Sequence, residues 1–376
     1  MTRALEVAIA AGGTAGHINP ALALAEELRS RGHHVTFFGQ TTRLEGTLVP
    51  QEGFDFFPIV VTGFDRSRPW TLVSALVRER SAASAILAHF GESGRPDVAV
   101  GFGAYVELPL VSACHAAGVP LVLHEQNSVP GLANTRSARR AARVCVSLPQ
   151  AVSAFKDHVR SPEDIVITGN PVRQSVVTAS RAAGRAAFGI PEDATMLLVF
   201  GGSLGAVHLN RGVCALKDEL LGREGLRIVH STGRDDYGSV VAALDLTEAE
   251  QARWQVMPYI SNMGEALAAA DVVVSRAGAS SIAEIAALAV PSLLVPYPFA
   301  TADHQTTNAR YLVDAGAAVL VADDDIDAPT FSEQLVSLVD EPARRGAMRA
   351  AAQGLGQDRA ATALADQVES VAATRD

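Results

Sequence analysis

The sequence predicts an α/β protein made of two Rossmann-like units, and three observations carry that prediction. Short apolar runs rich in valine, isoleucine and phenylalanine alternate with stretches whose apolar residues recur at helical spacing, the pattern of a parallel sheet covered on both faces. Many of those runs end in a glycine-rich or densely polar loop, where open α/β sheets bind ligands. The pattern also restarts: residues 196–200 followed by Gly201-Gly202-Ser203-Leu204-Gly205 echo residues 7–17. With 376 residues the chain is long enough for two domains, and the restart reads as a second unit, not a tandem repeat.

Composition narrows the function. Hydrophobic residues make up 48% and charged residues 19%, which allows sizeable cores and argues against disorder. A formal net charge of -10 argues against a general nucleic-acid binder. Cys114, Cys145 and Cys214 stand far apart, with no CxxC pair or Cys/His cluster. Neither a disulfide framework nor a structural zinc is expected, and a reduced, cytoplasmic setting fits. Two stretches imitate membrane signals. Residues 1–11 begin like a signal peptide but feed a glycine loop and an amphipathic helix, so they read as a first strand. Residues 285–302 are almost uncharged, yet Pro291, Pro296 and Pro298 divide them into helix end, strand and loop. No transmembrane segment is expected.

In order, residues 5–11 predict the first strand. Gly12-Gly13-Thr14-Ala15-Gly16-His17 follows, with Asn19 expected as N-cap and Pro20 at the first helical position. Ala21, Leu24, Ala25 and Leu28 keep helical spacing up to Gly32, and residues 35–38 predict strand two. The loop is not GxGxxG, and strand two ends in Gly39 and Gln40 with no acidic residue, which weakens a dinucleotide reading. Residues 56–61 read as strand and 71–90 as helix. Trp70, Val73, Leu76 and Val77 share one face there, with Arg66, Arg68, Arg78 and Arg80 nearby. That face suits either an anionic membrane surface or the core.

Residues 97–100 predict a strand ending in Gly101-Phe102-Gly103-Ala104-Tyr105, then a helix over 107–117 stopped by Gly118. The strand at 120–123 runs into His124-Glu125-Gln126-Asn127-Ser128, a polar cluster that suits binding better than a plain turn. Residues 143–147 close this set, and 165–168 precede Gly169-Asn170-Pro171-Val172-Arg173. In the second unit, residues 226–230, 255–259, 271–274 and 292–295 read as further strands. The exit loop of the last carries Asp303-His304-Gln305-Thr306-Thr307-Asn308. From about residue 330 the chain is helical, ending in a helix near 360–373.

The stretch with most chemistry is Ser275-Arg276-Ala277-Gly278-Ala279-Ser280-Ser281-Ile282-Ala283-Glu284: strand end, small-residue turn, helix start. A helix N-terminus offers unpaired N–H groups and a favourable dipole to a phosphate. Glu284 repels a phosphate but can accept hydrogen bonds from sugar hydroxyls, so the pair of features suits a nucleotide sugar. Taken alone the stretch reads sooner as an ordinary βα turn with a solvated glutamate, and it is the rest of the chain that favours the nucleotide sugar. No GxxxxGK[ST] or GxSxG motif is present, which disfavours a P-loop kinase and a serine hydrolase. The Asp-x-Asp run Asp323-Asp324-Asp325 reads as a solvated loop or N-cap before a metal site, so no essential protein-held metal is expected. The leaving diphosphate would then rest on helix N-termini and backbone amides.

Together the motifs at 12–17, 124–127, 169–173, 201–205, 275–284 and His304-Gln305 resemble, in their order, the MurG family: the bacterial N-acetylglucosaminyltransferases of peptidoglycan synthesis, in glycosyltransferase family 28. The resemblance covers nearly the whole chain. It implies the GT-B fold, two Rossmann-like domains facing across a cleft, and inverting transfer of N-acetylglucosamine from UDP-N-acetylglucosamine to undecaprenyl-diphospho-muramoyl-pentapeptide (lipid I), giving lipid II. No cofactor is implied. The implied partners are those two substrates, the cytoplasmic leaflet of the cell membrane, where the protein would be peripheral, and other cell-wall and division proteins. The implied domains are an acceptor- and membrane-facing unit at 1–168, a hinge and linker at 169–191, a UDP-sugar-binding unit at 192–355, and a C-terminal helix at 356–376 returning to the first unit.

Carried over by position, Ser203 and the turn Ala279, Ser280, Ser281, Ile282, Ala283 and Glu284 would hold the diphosphate and sugar, with Glu284 on the uridine ribose. Ile260 would lie against the uracil, Gln305 would contact the N-acetylglucosamine, and Arg173 the diphosphate region. Thr14, Ala15, Gly16 and Asn127 would complete the donor site. Gly103 and Tyr105 would bind the acceptor, with His17 and Glu125 beside it as the expected catalytic residues. Here His17 is the candidate general base, or else orients its loop or binds the acceptor diphosphate. Ala15 stands where the family commonly has glycine, Leu204 where it has glutamine, and Glu107 where it often has a small residue. A lipid glycosyltransferase using another acceptor such as diacylglycerol, and a non-catalytic nucleotide-binding scaffold, are the alternatives; acceptor and nucleotide choice separate them.

Overall fold

The computed structural model describes residues 3–63, 70–202, 206–355 and 357–374. The chain divides into two units, Met1–Arg173 with Arg359–Asp376, and Gln174–Asp358. The first contains β1 (Glu6–Ala10), α1 (Ala15–Ser30), β2 (His34–Gly39), α2 (Glu45–Gln51), β3 (Asp55–Pro58), α3 (Thr71–Ser93), β4 (Val98–Gly101), α4 (Glu107–Ala117), β5 (Leu121–Glu125), α5 (Leu132–Ser137), β6 (Arg143–Val146), α6 (Pro149–Phe155) and β7 (Ile165–Ile167). The second runs through α7 (Gln174–Val177), α8 (Arg181–Ala187), β8 (Thr195–Phe200), α9 (Val207–Ala215), α10 (Lys217–Leu221), β9 (Leu226–Ser231), α11 (Tyr237–Leu244), α12 (Glu248–Gln251), β10 (Trp254–Met257) and α13 (Met263–Ala269). It continues with β11 (Val272–Ser275), α14 (Ala279–Ala287), β12 (Ser292–Leu294), α15 (His304–Val313), β13 (Ala318–Leu320), α16 (Pro329–Asp340) and α17 (Pro342–Gln353), and α18 (Ala360–Ala373) ends the described chain in the first unit.

Both sheets are wholly parallel. The first has strand order β3-β2-β1-β4-β5-β6-β7, the second β10-β9-β8-β11-β12-β13. Each strand order reverses direction once, between β1 and β4 and between β8 and β11, and at such a switch point the loops part to leave a crevice for ligands. Register brings the loop ends together: Ala10 pairs with Gly101, and Phe200 with Ser275. The strands are buried on both faces, so alternate residues feed different cores. Val7 and Ile9 pack with α1 and α18, whereas Ala8 and Ala10 face the core that holds Ile86 and Phe90 of α3 and Leu110 of α4. In the second unit Met196, Leu198 and Phe200 join one core, Leu197 and Val199 the other.

α18 buries Leu364 and Val368 completely against the first sheet. Each such side chain contributes about 1.5–3 kcal/mol relative to exposure. Polar contacts accompany the docking: Arg31 Nη1 pairs with Asp366 Oδ1 at 2.7 Å, and His33 Nε2 lies 2.8 Å from Glu369 Oε1. α7 and α8, within the stretch expected as hinge and linker, pack against α13. A Cβ at Gly184 would lie 2.2 Å from the Glu265 carbonyl oxygen, so only glycine permits that helix contact.

Three expectations are corrected here. α1 begins at Ala15, not after Asn19; Thr14 is its N-cap, and Pro20 sits inside the helix, giving up one hydrogen bond. The glycine loop is therefore shorter than expected, and Ala15, Gly16 and His17 already belong to the first helical turn. His304 to Asn308 also lie on a helix, α15, rather than in an exit loop. β7 adds a seventh strand where the sequence reading ended the set. Arg66 and Arg68 lie outside the described residues. Among those described, no helix is long and apolar enough to cross a membrane.

Candidate active site

In the first unit the carboxyl-edge loops follow β1, β4 and β5. Thr14 caps α1 in extended conformation, and its Oγ1 lies 3.0 Å from His17 Nδ1. His17 is half-buried, and burial pushes its imidazole down to about 4, so it is neutral at physiological pH. The expected base near neutral pKa is therefore a weak base. Its ring edge borders the β4 loop: a Cβ at Gly103 would lie 3.5 Å from His17 Cδ2. Tyr105 donates its hydroxyl to Gln40 Oε1 at 2.9 Å. The structure thus assembles Thr14, Ala15, Gly16, His17, Gly103 and Tyr105 on one edge.

The polar run after β5 points largely inward. His124, Glu125, Gln126 and Ser128 are buried. His124 Nε2 bonds the Gly169 carbonyl at 3.0 Å, and desolvation pushes that imidazole down to about 4. Glu125 accepts bonds from Asn127 N at 3.0 Å, Gly131 N at 3.0 Å and Asn134 Nδ2 at 2.8 Å, with Asn127 Nδ2 at 3.4 Å. A carboxylate so occupied holds its loop and has no lone pair directed at a reacting atom. Of this run Asn127, half-buried, is the residue that reaches the surface.

Two further glutamates do the same from beneath the other loops. Glu45, on α2, is fully buried and accepts Gly13 N at 3.2 Å and Gln40 N at 3.3 Å. Glu107, at the start of α4, is fully buried and accepts Gly103 N at 2.7 Å and the Ser137 hydroxyl at 3.4 Å. Burial pushes its carboxyl up to about 8, the neighbouring Glu125 charge adding to the rise and the Gly103 bond opposing it. Sequence reasoning missed these supports, because an acidic residue in a first helical turn ordinarily reads as solvated.

In the second unit, Ser203 lies outside the described residues. β11 ends at Ser275, the turn Arg276-Ala277-Gly278 follows, and α14 opens with Gly278 as N-cap and no side-chain cap. The first-turn amides of Ala279, Ser280 and Ser281 are thus left for a ligand or water. Ile282 and Ala283 are buried, so only their backbone can reach a ligand. Glu284 is half-buried and its side chain has no hydrogen-bond partner among the described residues; desolvation pushes its carboxyl up to about 7. Gln305 Oε1 is anchored by Ala277 N at 3.1 Å and Tyr297 N at 2.9 Å, which leaves its amide hydrogens to donate elsewhere.

Three residues sit differently from expectation. Ile260 is 4% exposed and packs in the core, leaving little side chain to lie against a base. Arg173 is held by Glu26 at 2.9 Å and Glu52 at 2.8 Å, so its guanidinium is already paired. Asp323 is an internal counter-ion: it bonds Arg276 and lies 2.7 Å from His208 Nδ1. Burial alone would raise its carboxyl, but those two partners hold it below the ordinary value. Among the described residues no group of three or more His, Cys, Asp or Glu side chains is placed to hold a metal.

Two parallel sheets, amide-rich helix starts at their switch points and an unpaired carboxylate beside one of them define a nucleotide-sugar glycosyltransferase of the GT-B class. The comparisons agree. Residues 7–146 match the glycosyltransferase family 28 N-terminal domain and residues 196–368 its C-terminal domain, and the chain belongs to that family. It is 37% identical over 374 residues to a Halothermothrix orenii protein named UDP-N-acetylglucosamine--N-acetylmuramyl-(pentapeptide) pyrophosphoryl-undecaprenol N-acetylglucosamine transferase, covering 98% of this chain and 99% of that one. A Salinibacter ruber protein of the same name is 39% identical over 380 residues, covering 99% and 98%. Among solved structures, Acinetobacter baumannii MurG superposes with a TM-score of 0.74 at 28% identity, over 97% of this chain and 99% of that one. Arabidopsis thaliana UGT89C1, at 15% identity and TM-score 0.70 over 98% of this chain and 100% of that one, shares the fold alone.

Proposed function

We infer that this chain is the inverting transferase that moves N-acetylglucosamine from UDP-N-acetylglucosamine to lipid I, giving lipid II in peptidoglycan synthesis. The observation that carries the reading is near-full-length identity, 37–39%, to relatives named for that reaction. In the second unit the α14 start would take the diphosphate on its amides and dipole, with Glu284 accepting ribose hydroxyls and Gln305 donating to the sugar. The reaction is a single displacement: the acceptor hydroxyl attacks the anomeric carbon, the bond to UDP breaks with its electron pair going to the diphosphate oxygen, the hydroxyl proton leaves through the neutral His17 to water, and configuration inverts. His17, neutral and fixed by Thr14, accepts the hydrogen bond of the attacking hydroxyl and aligns it; Gly103 and Tyr105 shape the acceptor's place beside it. Glu125 acts through its loop as a positioning residue.

The reading extends to the cytoplasmic face of the membrane, where a polyprenyl-anchored acceptor would be met. Support comes from the amino-terminal half of α3, where Trp70, Val73 and Val77 are 72%, 69% and 61% exposed beside the exposed Arg78 and Arg80. The decisive experiment is transfer of labelled N-acetylglucosamine from the UDP donor to a short-chain lipid I analogue with chelator present. Product on that acceptor and none on diacylglycerol supports the reading; UDP-sugar binding without transfer to lipid I would overturn the acceptor.

A further inference from the structure

The β4 loop has an unusual support. Gly103 takes φ +83° and Ala104 φ +61°, left-handed values that cost a non-glycine residue about 1–2 kcal/mol. Something must hold that shape, and the bond from Gly103 N to Glu107 at 2.7 Å is the strong polar contact that does so from below. Glu107 also explains why residue 101 is glycine: a Cβ there would come within 2.6 Å of Glu107 Oε2. The supported loop stands between two other groups, since a Cβ at Gly103 would lie 3.5 Å from His17 Cδ2 and 3.3 Å from Asn134 Nδ2. Asn134 in turn binds Glu125. A small residue at 107 would leave the Gly103 amide without this acceptor and open space beneath the loop.

We propose that Glu107 is a positioning residue that sets the Gly103 amide, and through it the edge of His17, in the shape the acceptor meets. This rests on the reading that places Gly103 and Tyr105 with the acceptor. Glu107 touches no substrate; its effect passes through Gly103. A glutamine would keep both the volume and an acceptor oxygen for the Gly103 N–H, whereas a leucine would keep volume alone.

The test measures KM for a short-chain lipid I analogue and for UDP-N-acetylglucosamine separately, in the full-length protein. Glu107→Leu is expected to raise the acceptor KM about fivefold or more and leave the donor KM within about twofold, while Glu107→Gln stays within about twofold of wild type in both. Wild-type kinetics for Glu107→Leu, or an equal loss in Glu107→Gln, would overturn the proposal. Gly103→Ala, which distorts the loop directly, runs alongside to separate the two layers. If Gly103→Ala raises the acceptor KM and Glu107→Leu does not, the support fails and the acceptor loop stands. If both raise the donor KM alone, the acceptor placement fails and the proposal with it. Should Glu107→Leu not fold, Glu107→Gln against Gly103→Ala still decides: a glutamine variant as impaired as the alanine one overturns it.

Discussion

The two carboxyl edges of this molecule use glutamate in opposite ways. In the first unit Glu45, Glu107 and Glu125 are buried and bonded to the amides of the loops above them. In the second, the loop after β11 is held by side-chain amides, Gln305 and Asn308 bonding Ala277 N and Ala277 O, and Glu284 is left unpartnered among the described residues. The same side chain is a bonded support on one edge and lacks a side-chain partner among the described residues on the other. A buried carboxylate is tolerated where donors satisfy it. One kept half-buried with none carries a desolvation cost, which under the proposed function a ligand bringing hydroxyl donors would offset.

The largest expected effect breaks the first half of that contrast. Glu125→Ala leaves Asn127 N, Gly131 N and Asn134 Nδ2 without their acceptor, and a loss of about 3 kcal/mol is expected in urea unfolding. Wild-type stability would mean the loop supports itself. Glu284→Ala tests the other half. Calorimetry should show UDP-N-acetylglucosamine binding weakened about tenfold, about 1.4 kcal/mol, with Tm unchanged. A fall in Tm with donor affinity intact would make Glu284 scaffold as well.

Titration sharpens the comparison. The Glu107 carboxyl, ordinarily near 4.5, is raised to about 8 in the folded chain. Between those values the folded state holds the proton that the unfolded state has released, so stability falls as pH rises and the penalty is complete above about 8. Glu107→Gln removes it; the variant's advantage in unfolding free energy should grow from pH 5 to 8 and then level off. Glu284 follows the same sign up to about 7, and because hydroxyls bond its ionised form, donor affinity should weaken below that pH. The smallest effect is a null signal: the His17 imidazole, held to about 4, should show no NMR titration between pH 5.5 and 8. A midpoint near 6.5 would restore it as an ordinary base.

Much of this was legible in the sequence. Every strand read from a β-branched run is present, and the glycine loops lie at carboxyl ends. Glu284 lies half-buried on α14, the helix read there. Other positions were misleading for physical reasons. The cluster at 124–128 looked like a binding surface, yet most of it is buried in bonds to its own loop and to Gly169. Arg173 looked available, but Glu26 and Glu52, 147 and 121 residues away, hold it. Gly12 and Gly101 lie in loops read as ligand-facing; a Cβ there would collide with Glu45 at 2.5 Å and Glu107 at 2.6 Å, so these two glycines admit a glutamate from below.

By itself the sequence determined most of the strands in their chain order, the two-unit plan, the loops at strand ends and the family. All of these depend on local patterns: β-branched runs, helical periodicity, and glycine where the backbone must turn. Strand order, and with it the switch points that bring Ala10 beside Gly101 and Phe200 beside Ser275, was decided by the tertiary structure alone. So was the division of labour among the glutamates. Whether a carboxylate supports or binds depends on which amides lie within 3 Å of it, and those come from residues distant in the chain.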